Sequence, residues 1–370
     1  MNDTRINRIK KLLNGKKVGP WHMQLQPTSR CNLNCRFCWR QTYSRYKELS
    51  DKRWKEITRE ACLLNPHEIT IVGGGEPLFR NRLYEKMSEL IKKNGIKGCT
   101  ITNGTLYHKK LAEKVVKIGW DTIGISIHGA NASTDNFLRG HPHAFQMTMK
   151  SIKNINYFKR KFSSDVPILL FHSLITRFNI KEIPDMIKLG GNLGIKVIVF
   201  RMVNDTPKKP KFFIKKSQIK LLEKKLEEAK KISRELRIDL QLQFSLEEIK
   251  KRFGIKIQQK KIDKSVKKGR EKGINIACAR PFSEIVVIPD GTTSPCCLFC
   301  EGKYSSTGKK TNISNFLENA NEKSLVDIWF GEKMEKFRDL SKNGKLPEYC
   351  KIACTLDYRY LEESGEIYNK

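Results

Sequence analysis

Short apolar runs alternate with longer amphipathic segments over the N-terminal half of the chain. Six runs have the length of buried strands, and the segments between them carry apolar residues at helical spacing. The runs lie at 22–26, 68–72, 99–102, 122–127, 168–175 and 196–200, and the helical segments include 50–64, 82–93, 109–118, 145–159 and 183–193. Strands that alternate with helices favour parallel β/α units joined by right-handed crossovers. The pattern predicts an α/β fold, most simply a partial (β/α)6 TIM-like barrel.

The pattern changes after residue 203. Residues 204–277 contain 23 Lys and Arg against 10 Asp and Glu, and they predict a long amphipathic helix followed by a basic linker. From residue 278 onwards, short strand-like runs and turns surround six of the 11 cysteines. These changes divide the chain into an N-terminal basic segment (1–20), a barrel domain (21–203), a basic helical segment and linker (204–277) and a small cysteine-rich α+β extension (278–370).

The composition is that of a globular and strongly basic protein. Among 370 residues, 72 are Lys or Arg and 39 are Asp or Glu, which gives a formal net charge of +33. No apolar run reaches the roughly 18 residues of a membrane span, which predicts a cytoplasmic protein. Because cytoplasmic thiols stay reduced, the 11 cysteines favour metal ligation over disulfides. The positive charge has two explanations: a polyanionic partner such as nucleic acid, or a general preference for lysine in the proteins of the source organism.

The first cysteine group directly follows the first predicted strand. Cys31, Cys35 and Cys38 have the spacing CxxxCxxC. A structural zinc site or a fully ligated iron–sulfur cluster uses four protein ligands, whereas this group supplies three. A metal centre with an open ligand position can bind a substrate or cofactor. The spacing therefore predicts chemistry at the metal.

Glycine-rich or polar motifs follow the next strands. The sequence Gly73-Gly74-Gly75-Glu76-Pro77 follows the second predicted strand, and its glycines allow the backbone to approach a ligand closely. Asn103 follows the third strand, Ser126 lies at the end of the fourth, and Asn179 lies beyond the fifth. Barrel enzymes place their active sites at the C-terminal ends of the strands, and the three-cysteine spacing lies at such a position after the first strand.

The cysteine spacing, its position after the first strand and the GGEP sequence together resemble the radical SAM superfamily. The resemblance implies that the three cysteines hold a [4Fe–4S] cluster whose remaining iron is chelated by S-adenosyl-L-methionine. It also implies that Ser126 and Arg139 contact the methionine carboxylate and that Asn179 reaches the ribose. The cofactor-binding residues implied in this way are Phe37, Gly73, Gly74, Gly75, Glu76, Asn103, Ser126, Arg139 and Asn179.

The second cysteine group begins with the spacing Cx12GxxxxC, from Cys278 through Gly291 to Cys296. It resembles the opening of the SPASM extension of radical SAM enzymes, where a β-hairpin delivers two thiolates to an auxiliary iron–sulfur cluster. The chain departs from the full, two-cluster form because its last cysteines are spaced CxxxC and none follows them. The resemblance therefore implies one auxiliary [4Fe–4S] cluster, and a closed zinc site is the alternative. The implied ligands are Cys278, Cys296, Cys350 and Cys354.

The other cysteines have different expected roles. Cys62 and Cys99 lie in a predicted helix and a predicted strand, and they are expected to be inert buried thiols. Cys297 and Cys300 are not among the assigned ligands. Each could be a packing residue, an alternative ligand or a thiol that faces the active site. In the last case Cys297 is catalytic, because a thiol can return a hydrogen atom to a substrate radical, as in epimerases of the superfamily.

The resemblance implies an oxidoreductase that cleaves S-adenosyl-L-methionine to a 5′-deoxyadenosyl radical and abstracts a hydrogen atom from its substrate. A peptide or protein is the favoured substrate, with oxidation, cross-linking or epimerisation as the outcome and ferredoxin or flavodoxin as the reducing partner. The alternatives are a dehydrogenase or epimerase of a small molecule such as a sugar, an RNA-modifying enzyme, and a non-enzymatic metal-dependent nucleic-acid-binding module. The catalytic residues implied are Cys31, Cys35, Cys38 and Cys297.

Overall fold

The computed structural model describes residues 4–38, 40, 47–203, 212–255, 274, 276–296, 315–347 and 350. The chain forms two compact units, each assembled from separated segments. The first unit comprises Met1–Ser29, Tyr43–Gly98 and Gln259–Lys370, and the second comprises Arg30–Thr42 and Cys99–Gln258. Because these units interleave along the sequence, the predicted division into four consecutive segments stays a prediction.

Helices and strands alternate along the described residues. The helices are α1 (Arg5–Leu13), α2 (Asp51–Leu63), α3 (Asn81–Lys93), α4 (Lys109–Lys117), α5 (Ala132–Arg139), α6 (Ala144–Lys161), α7 (Ile183–Asn192), α8 (Ile219–Glu235), α9 (Leu246–Arg252), α10 (Leu325–Trp329) and α11 (Glu332–Lys342). The strands are β1 (His22–Leu25), β2 (Glu68–Ile71), β3 (Lys97–Thr102), β4 (Thr122–Ser126), β5 (Ile168–Ile175), β6 (Val197–Met202), β7 (Asp239–Leu242), β8 (Glu284–Val287), β9 (Thr292–Ser294) and β10 (Glu318–Asn319).

The elements predicted for the barrel region are present, and their ends shift by at most two residues. Local capping explains several of these ends. The Ser50 hydroxyl accepts a hydrogen bond from the Arg53 N–H at 3.2 Å, which starts α2, and Gly140 ends α5 in a left-handed conformation. The predicted α/β class is confirmed.

The sequence analysis missed α1, α5, β7 and α9. The N-terminal segment was expected only to be basic, yet α1 begins at the Thr4 cap and buries Ile9 completely. Ile9 packs with Ile274, Ala279 and Phe282 in one apolar cluster of the first unit. The helix has only nine residues and several of them are charged, so its apolar stripe is too short to give a clear helical period in the sequence.

The strands of the first unit follow the order β10-β9-β8-β1-β2. The predicted hairpin near Gly291 is confirmed, because β9 pairs antiparallel with β8. An additional finding is that β8 pairs parallel with β1, with Glu284 opposite His22. The cysteine-rich C-terminal segment therefore extends the same sheet that carries the first strand of the chain.

The strands of the second unit follow the order β3-β4-β5-β6-β7 and pair in parallel. One face of this sheet packs against helices. A Cβ atom on Gly190 of α7 would lie 2.7 Å from Ile198 Cδ1, and a Cβ atom on Gly104 would lie 2.6 Å from Ile125 Cγ2 and 3.1 Å from Thr148 Cγ2 of α6. These close approaches show that Ile125 and Ile198 point to the helical side.

A search of the described helices finds none that is both long enough and apolar enough to cross a membrane.

Candidate active site

The first cysteine group lies in a loop of the second unit, called here the Cys31 loop (residues 31–38). Cys31, Cys35 and Cys38 are half-buried. The Cys31 sulfur accepts hydrogen bonds from the Leu33 backbone N–H at 3.4 Å and from Asn103 Nδ2 at 3.7 Å. Such donors stabilise a thiolate or a cluster-bound sulfur, which carries negative charge.

Burial raises the pKa of the Cys35 thiol to about 12, and the neighbouring Cys38 and Cys31 add to this shift. The cause is that a thiolate loses hydration in this site and repels the adjacent thiolates. Metal binding deprotonates a cysteine ligand, so occupation of the site releases a proton from Cys35.

The Cys31 loop is anchored on the C-terminal end of α5. The Arg36 N–H donates to the Leu138 carbonyl at 2.9 Å, and Arg36 Nε donates to the Phe137 carbonyl at 2.8 Å. Gly140 has a φ of +62°, and a Cβ atom there would lie 2.2 Å from the Asn34 carbonyl oxygen. A glycine is therefore required where the helix end meets the loop.

Arg139 is fully buried beside this anchor. Its guanidinium pairs with Asp135 at 3.1 Å, donates to Thr148 Oγ1 at 2.9 Å and also donates to the Asn103 carbonyl. Asp135 in turn accepts a hydrogen bond from the His128 backbone N–H at 2.8 Å. In this structure Arg139 fixes the ends of β3 and β4, and its contact with a methionine carboxylate stays a prediction.

Asn103 connects β3 with the Cys31 loop. Besides reaching the Cys31 sulfur, its Nδ2 donates to Asn32 Oδ1 at 2.8 Å. Its Oδ1 accepts from the Thr105 hydroxyl at 2.7 Å and from the Thr105 N–H at 2.9 Å. These bonds place the amide directly against a predicted cluster ligand.

Asn179 is fully buried, and its side-chain amide makes four hydrogen bonds. Oδ1 accepts from the N–H and the hydroxyl of Thr176, while Nδ2 donates to the carbonyls of His128 and Leu174. This number fills the capacity of a carboxamide. The predicted ribose contact stays a prediction, and it requires Asn179 to exchange one of these partners.

His128 lies just after β4. Its Nδ1 accepts a hydrogen bond from the Leu174 N–H at 3.1 Å, which places the proton of the neutral ring on Nε2. Burial and the nearby Arg139 lower its pKa to about 3. The ring is therefore neutral at physiological pH.

Phe37 and Ser126 are half-buried near the same strand end. The Phe37 ring meets the His128 ring edge-on, with 4.7 Å between centroids. The Ser126 hydroxyl, in contrast to the Asn179 amide, has no hydrogen-bond partner among the described residues, so it can bind an added ligand. Ser126 is thus the predicted carboxylate ligand that is best placed for that role.

The glycine-rich motif lies in the first unit after β2. A Cβ atom on Gly73 would lie 2.2 Å from the Gly75 carbonyl oxygen, and the Gly75 N–H donates to the Thr28 carbonyl at 3.0 Å. Glu76 is buried, and its carboxylate accepts from the Leu78 N–H at 3.1 Å. Gly73, Gly74, Gly75 and Glu76 stay predicted cofactor contacts, and Glu76 also caps the turn that precedes α3.

Three predicted ligands of the auxiliary cluster lie in the first unit and are called here the Cys278 group (Cys278, Cys296 and Cys350). All three pack against one apolar cluster. The Cys278 N–H donates to Ser341 Oγ at 2.9 Å, and the Ser341 hydroxyl donates to the Cys278 carbonyl at 2.7 Å. The cluster consists of Leu317, Phe337 and Leu346.

The remaining cysteines divide into described and undescribed residues. Cys62 and Cys99 are buried, as predicted, and burial raises the pKa of the Cys62 thiol to about 11. Cys297, Cys300 and Cys354 lie outside the described residues, so their predicted roles stay predictions.

Cysteine thiolates are the usual protein ligands of iron–sulfur clusters, and both cysteine groups supply them. Within the described ranges, no three His, Cys, Asp or Glu side chains converge as ligands of one ion. The N–H donors on the Cys31 sulfur fit the same assignment.

A model of the radical SAM superfamily matches residues 25–190, and a model of an iron–sulfur cluster-binding domain, SPASM, matches residues 278–355. The chain belongs to the radical SAM superfamily. It is a radical SAM enzyme with a C-terminal SPASM domain, and these domains bind iron–sulfur clusters and S-adenosylmethionine. The predicted family is confirmed.

Two curated relatives differ in how much of the radical SAM chain they cover. The tungsten-containing aldehyde ferredoxin oxidoreductase cofactor-modifying protein of Pyrococcus furiosus is 24% identical over 333 residues, which are 88% of this chain and 85% of that protein. The AdoMet-dependent heme synthase of Methanosarcina barkeri is 29% identical over 185 residues, 50% of this chain and 49% of the synthase. The chain therefore spans about half the length of that synthase.

The fold is similar to that of Streptococcus suis SuiB. With S-adenosylmethionine bound, SuiB superposes with a TM-score of 0.62 at 17% identity, covering 93% of this chain and 70% of SuiB. For SuiB with precursor peptide SuiA bound, the TM-score is 0.62 at 17% identity, and the match covers 88% of this chain and 68% of SuiB. The predicted partial barrel with a C-terminal extension is confirmed at the level of the fold.

The sequence analysis missed three polar residues on the strands of the second unit. They are His172 on β5, Arg201 on β6 and Gln243 just after β7. Arg201 Nε donates to Gln243 Oε1, and the charge of Arg201 acts on His172. The polar positions within otherwise apolar strands were the available signal, because such residues need a reason to be there.

Proposed function

We propose that this radical SAM enzyme modifies a peptide or protein by abstracting a hydrogen atom from it. The observation that carries the proposal is that a Cys31 loop and a Cys278 group occur in one chain whose fold is similar to SuiB over 93% of its length. SuiB has been solved with a precursor peptide. A second iron–sulfur site also suits reactions in which the substrate loses a second electron after the first abstraction.

The cofactors proposed are S-adenosylmethionine and two [4Fe–4S] clusters, one in each cysteine group. Cys31, Cys35 and Cys38 would hold the first cluster, which would supply the electron for reductive cleavage of S-adenosylmethionine and so the radical chemistry that removes a substrate hydrogen. Asn103 and the Leu33 N–H hold the Cys31 sulfur for this cluster. The Ser126 hydroxyl is the proposed donor to the methionine carboxylate.

Neutral His128 has a positioning role in this proposal. It fixes β4 against β5 through the Leu174 N–H and supports the Phe37 ring, so that the Cys31 loop keeps one orientation. A loop of fixed orientation matters because a reactive intermediate must meet a single C–H bond of the substrate.

The proposed reducing partner is a ferredoxin or flavodoxin. These carriers deliver single electrons, and the formal charge of +33 attracts an acidic protein at long range. Its docking should therefore weaken as ionic strength rises.

The test of the substrate class uses short peptides encoded beside the gene for this chain. Each peptide is incubated anaerobically with reconstituted enzyme, S-adenosylmethionine and dithionite in D2O, and its mass is measured. We expect a loss of two hydrogens for oxidation or cross-linking, or a gain of one deuterium for epimerisation. Cys38→Ala should abolish the change, whereas the matched Cys62→Ala, at a buried thiol of α2, should retain it.

The relatives that act on cofactors provide the competing outcome. If 5′-deoxyadenosine forms, no peptide changes mass and an iron porphyrin is consumed instead, the substrate is a small molecule. The substrate class proposed here is then wrong, although the radical SAM activity stands.

A further inference from the structure

One face of the second unit's sheet carries polar side chains on β4, β5 and β6. Ile125 and Ile198 point to the helical side, and side chains alternate along a strand. Ser126 and Arg201 therefore point to the opposite side. A Cβ atom on Gly124 would lie 2.8 Å from His172 Cδ2, which places the His172 ring on that side too. We call Ser126, His172, Arg201 and Gln243 the open face.

Arg201 carries a charge that is not neutralised within the described part of the chain. Its side chain is exposed, and Nε donates to Gln243 Oε1, which leaves the two terminal nitrogens without a protein acceptor among the described residues. Buried Arg139 and partly buried Arg280 are instead paired with Asp135 and Glu284. The Gln243 bond sets the plane of the Arg201 guanidinium.

His172 adds a polar group to the open face without adding charge. Burial, and then the nearby Arg201, lower its pKa to about 3. The ring is therefore neutral at physiological pH. Arg201 is thus the positively charged member of the open face, flanked by the neutral side chains of His172, Ser126 and Gln243.

Arg201 lies level with the residues that contact the Cys31 loop. It pairs with Leu174 in the β5–β6 register, and the Leu174 N–H donates to His128. The His128 ring in turn meets Phe37 of the loop. Because neighbouring strands are about 4.8 Å apart, Arg201 on β6 is about 10 Å from the line of β4. A molecule bound at Arg201 can extend to the loop.

We propose that Arg201, oriented by Gln243, is the anchor for a carboxylate of the substrate. A guanidinium fork with two free nitrogens matches a carboxylate in a bidentate geometry. This inference rests on the proposed function in that it assigns the carboxylate to a peptide, from an acidic side chain or from the C-terminus. The remainder of the peptide then lies between Arg201 and the Cys31 loop.

The test measures peptide binding without radical chemistry. Three resin-bound pentapeptide pools are randomised at the outer positions. The first pool has a central Glu and an amidated C-terminus, and the second has a central Gln and an amidated C-terminus. The third has a central Gln and a free C-terminal carboxylate. Apparent affinity is measured for the reconstituted protein at about 0.15 M salt, where charges are screened beyond about 8 Å. Wild type should favour at least one carboxylate pool over the amide Gln pool by about tenfold or more.

Arg201→Gln should remove this preference, and Arg201→Lys should retain only part of it because lysine has no fork. The matched control is Arg252→Gln, which removes the same charge from α9, where the guanidinium stacks on Phe213. It should keep the wild-type preference. The pool that is preferred identifies the source of the carboxylate.

Three results would overturn the inference. The first is that the wild type shows no preference. The second is an equal preference in Arg201→Gln and Arg252→Gln, which would assign the selectivity to overall charge. The third is a loss of S-adenosylmethionine affinity of about tenfold in Arg201→Gln, which would make Arg201 a ligand of the cofactor. Each result leaves peptide modification to be judged by mass change in the peptides, so the two proposals fail separately.

Discussion

The two cysteine groups are held in place by different means. The Cys31 loop is fixed by directional contacts, in which Arg36 bonds to the end of α5 and Asn103 reaches the Cys31 sulfur. All three members of the Cys278 group pack on the apolar cluster of Leu317, Phe337 and Leu346, and Ser341 adds two hydrogen bonds to the Cys278 backbone. Hydrogen bonds and close backbone contacts specify one loop path, whereas an apolar cluster tolerates changes that conserve volume.

This difference suits two different tasks. A loop that presents an incomplete ligand set to a cofactor needs a fixed orientation, and a short segment with several donors provides it. A group that is predicted to have a complete ligand set needs mainly to be brought together and shielded. In that second case residues from distant parts of the chain, near 278, 296 and 350, can contribute.

The largest effect is expected from Arg139→Met. The change leaves the fully buried Asp135 without its guanidinium partner, and breaking a buried ion pair costs about 3–5 kcal/mol. The measurement is the free energy of urea unfolding, together with iron content. We expect iron loss at the Cys31 loop, and unchanged stability would show that Arg139 does not brace this region.

The next largest effect is expected from Gly140→Ala, compared with Gly119→Ala. Both glycines have positive φ, +62° and +65°, but only Gly140 has a neighbouring backbone atom within 4 Å of an added Cβ. The close approach to the Asn34 carbonyl should cost about 1–3 kcal/mol beyond the control. Equal unfolding midpoints for the two variants would contradict the anchoring of the loop on α5.

A smaller effect is expected from Ser341→Ala in the other region. The Cys278 N–H and carbonyl each lose one hydrogen bond, and because Cys278 is half-buried the cost should be about 0.5–1.5 kcal/mol. Iron at the Cys31 loop should stay at the wild-type level. Loss of that iron would contradict the view that the Cys31 loop and the Cys278 group are stabilised independently.

The sequence predicted the strand and helix positions of the barrel well because each has a clear apolar period. Ile168–Ile175 was placed at its observed ends, and the other five strands predicted for the barrel were placed within two residues. The two cysteine spacings likewise predicted the family, since each spacing is local in the sequence. Local patterns can be detected without knowing which segments meet in the fold.

The missing parts depend on contacts between distant segments. Helix α5 has only eight residues, and its function as an anchor appears only when Arg36 meets Phe137 and Leu138. The pairing of β8 with β1 joins residues about 260 positions apart, which no local period reveals. Asn179 is a residue type that often binds ligands, but here it is buried. Its side-chain amide donates hydrogen bonds to backbone carbonyls of His128, just after β4, and Leu174 of β5.

The most direct test of the central claim compares Cys38→Ala with Cys278→Ala. Each reconstituted protein is analysed for iron and for 5′-deoxyadenosine formed from S-adenosylmethionine and dithionite. The account predicts no 5′-deoxyadenosine from Cys38→Ala, and continued formation by Cys278→Ala, which keeps the iron of the Cys31 loop. Formation by Cys38→Ala, or its loss from Cys278→Ala with that iron still bound, would contradict the assignment of the reaction to the Cys31 loop.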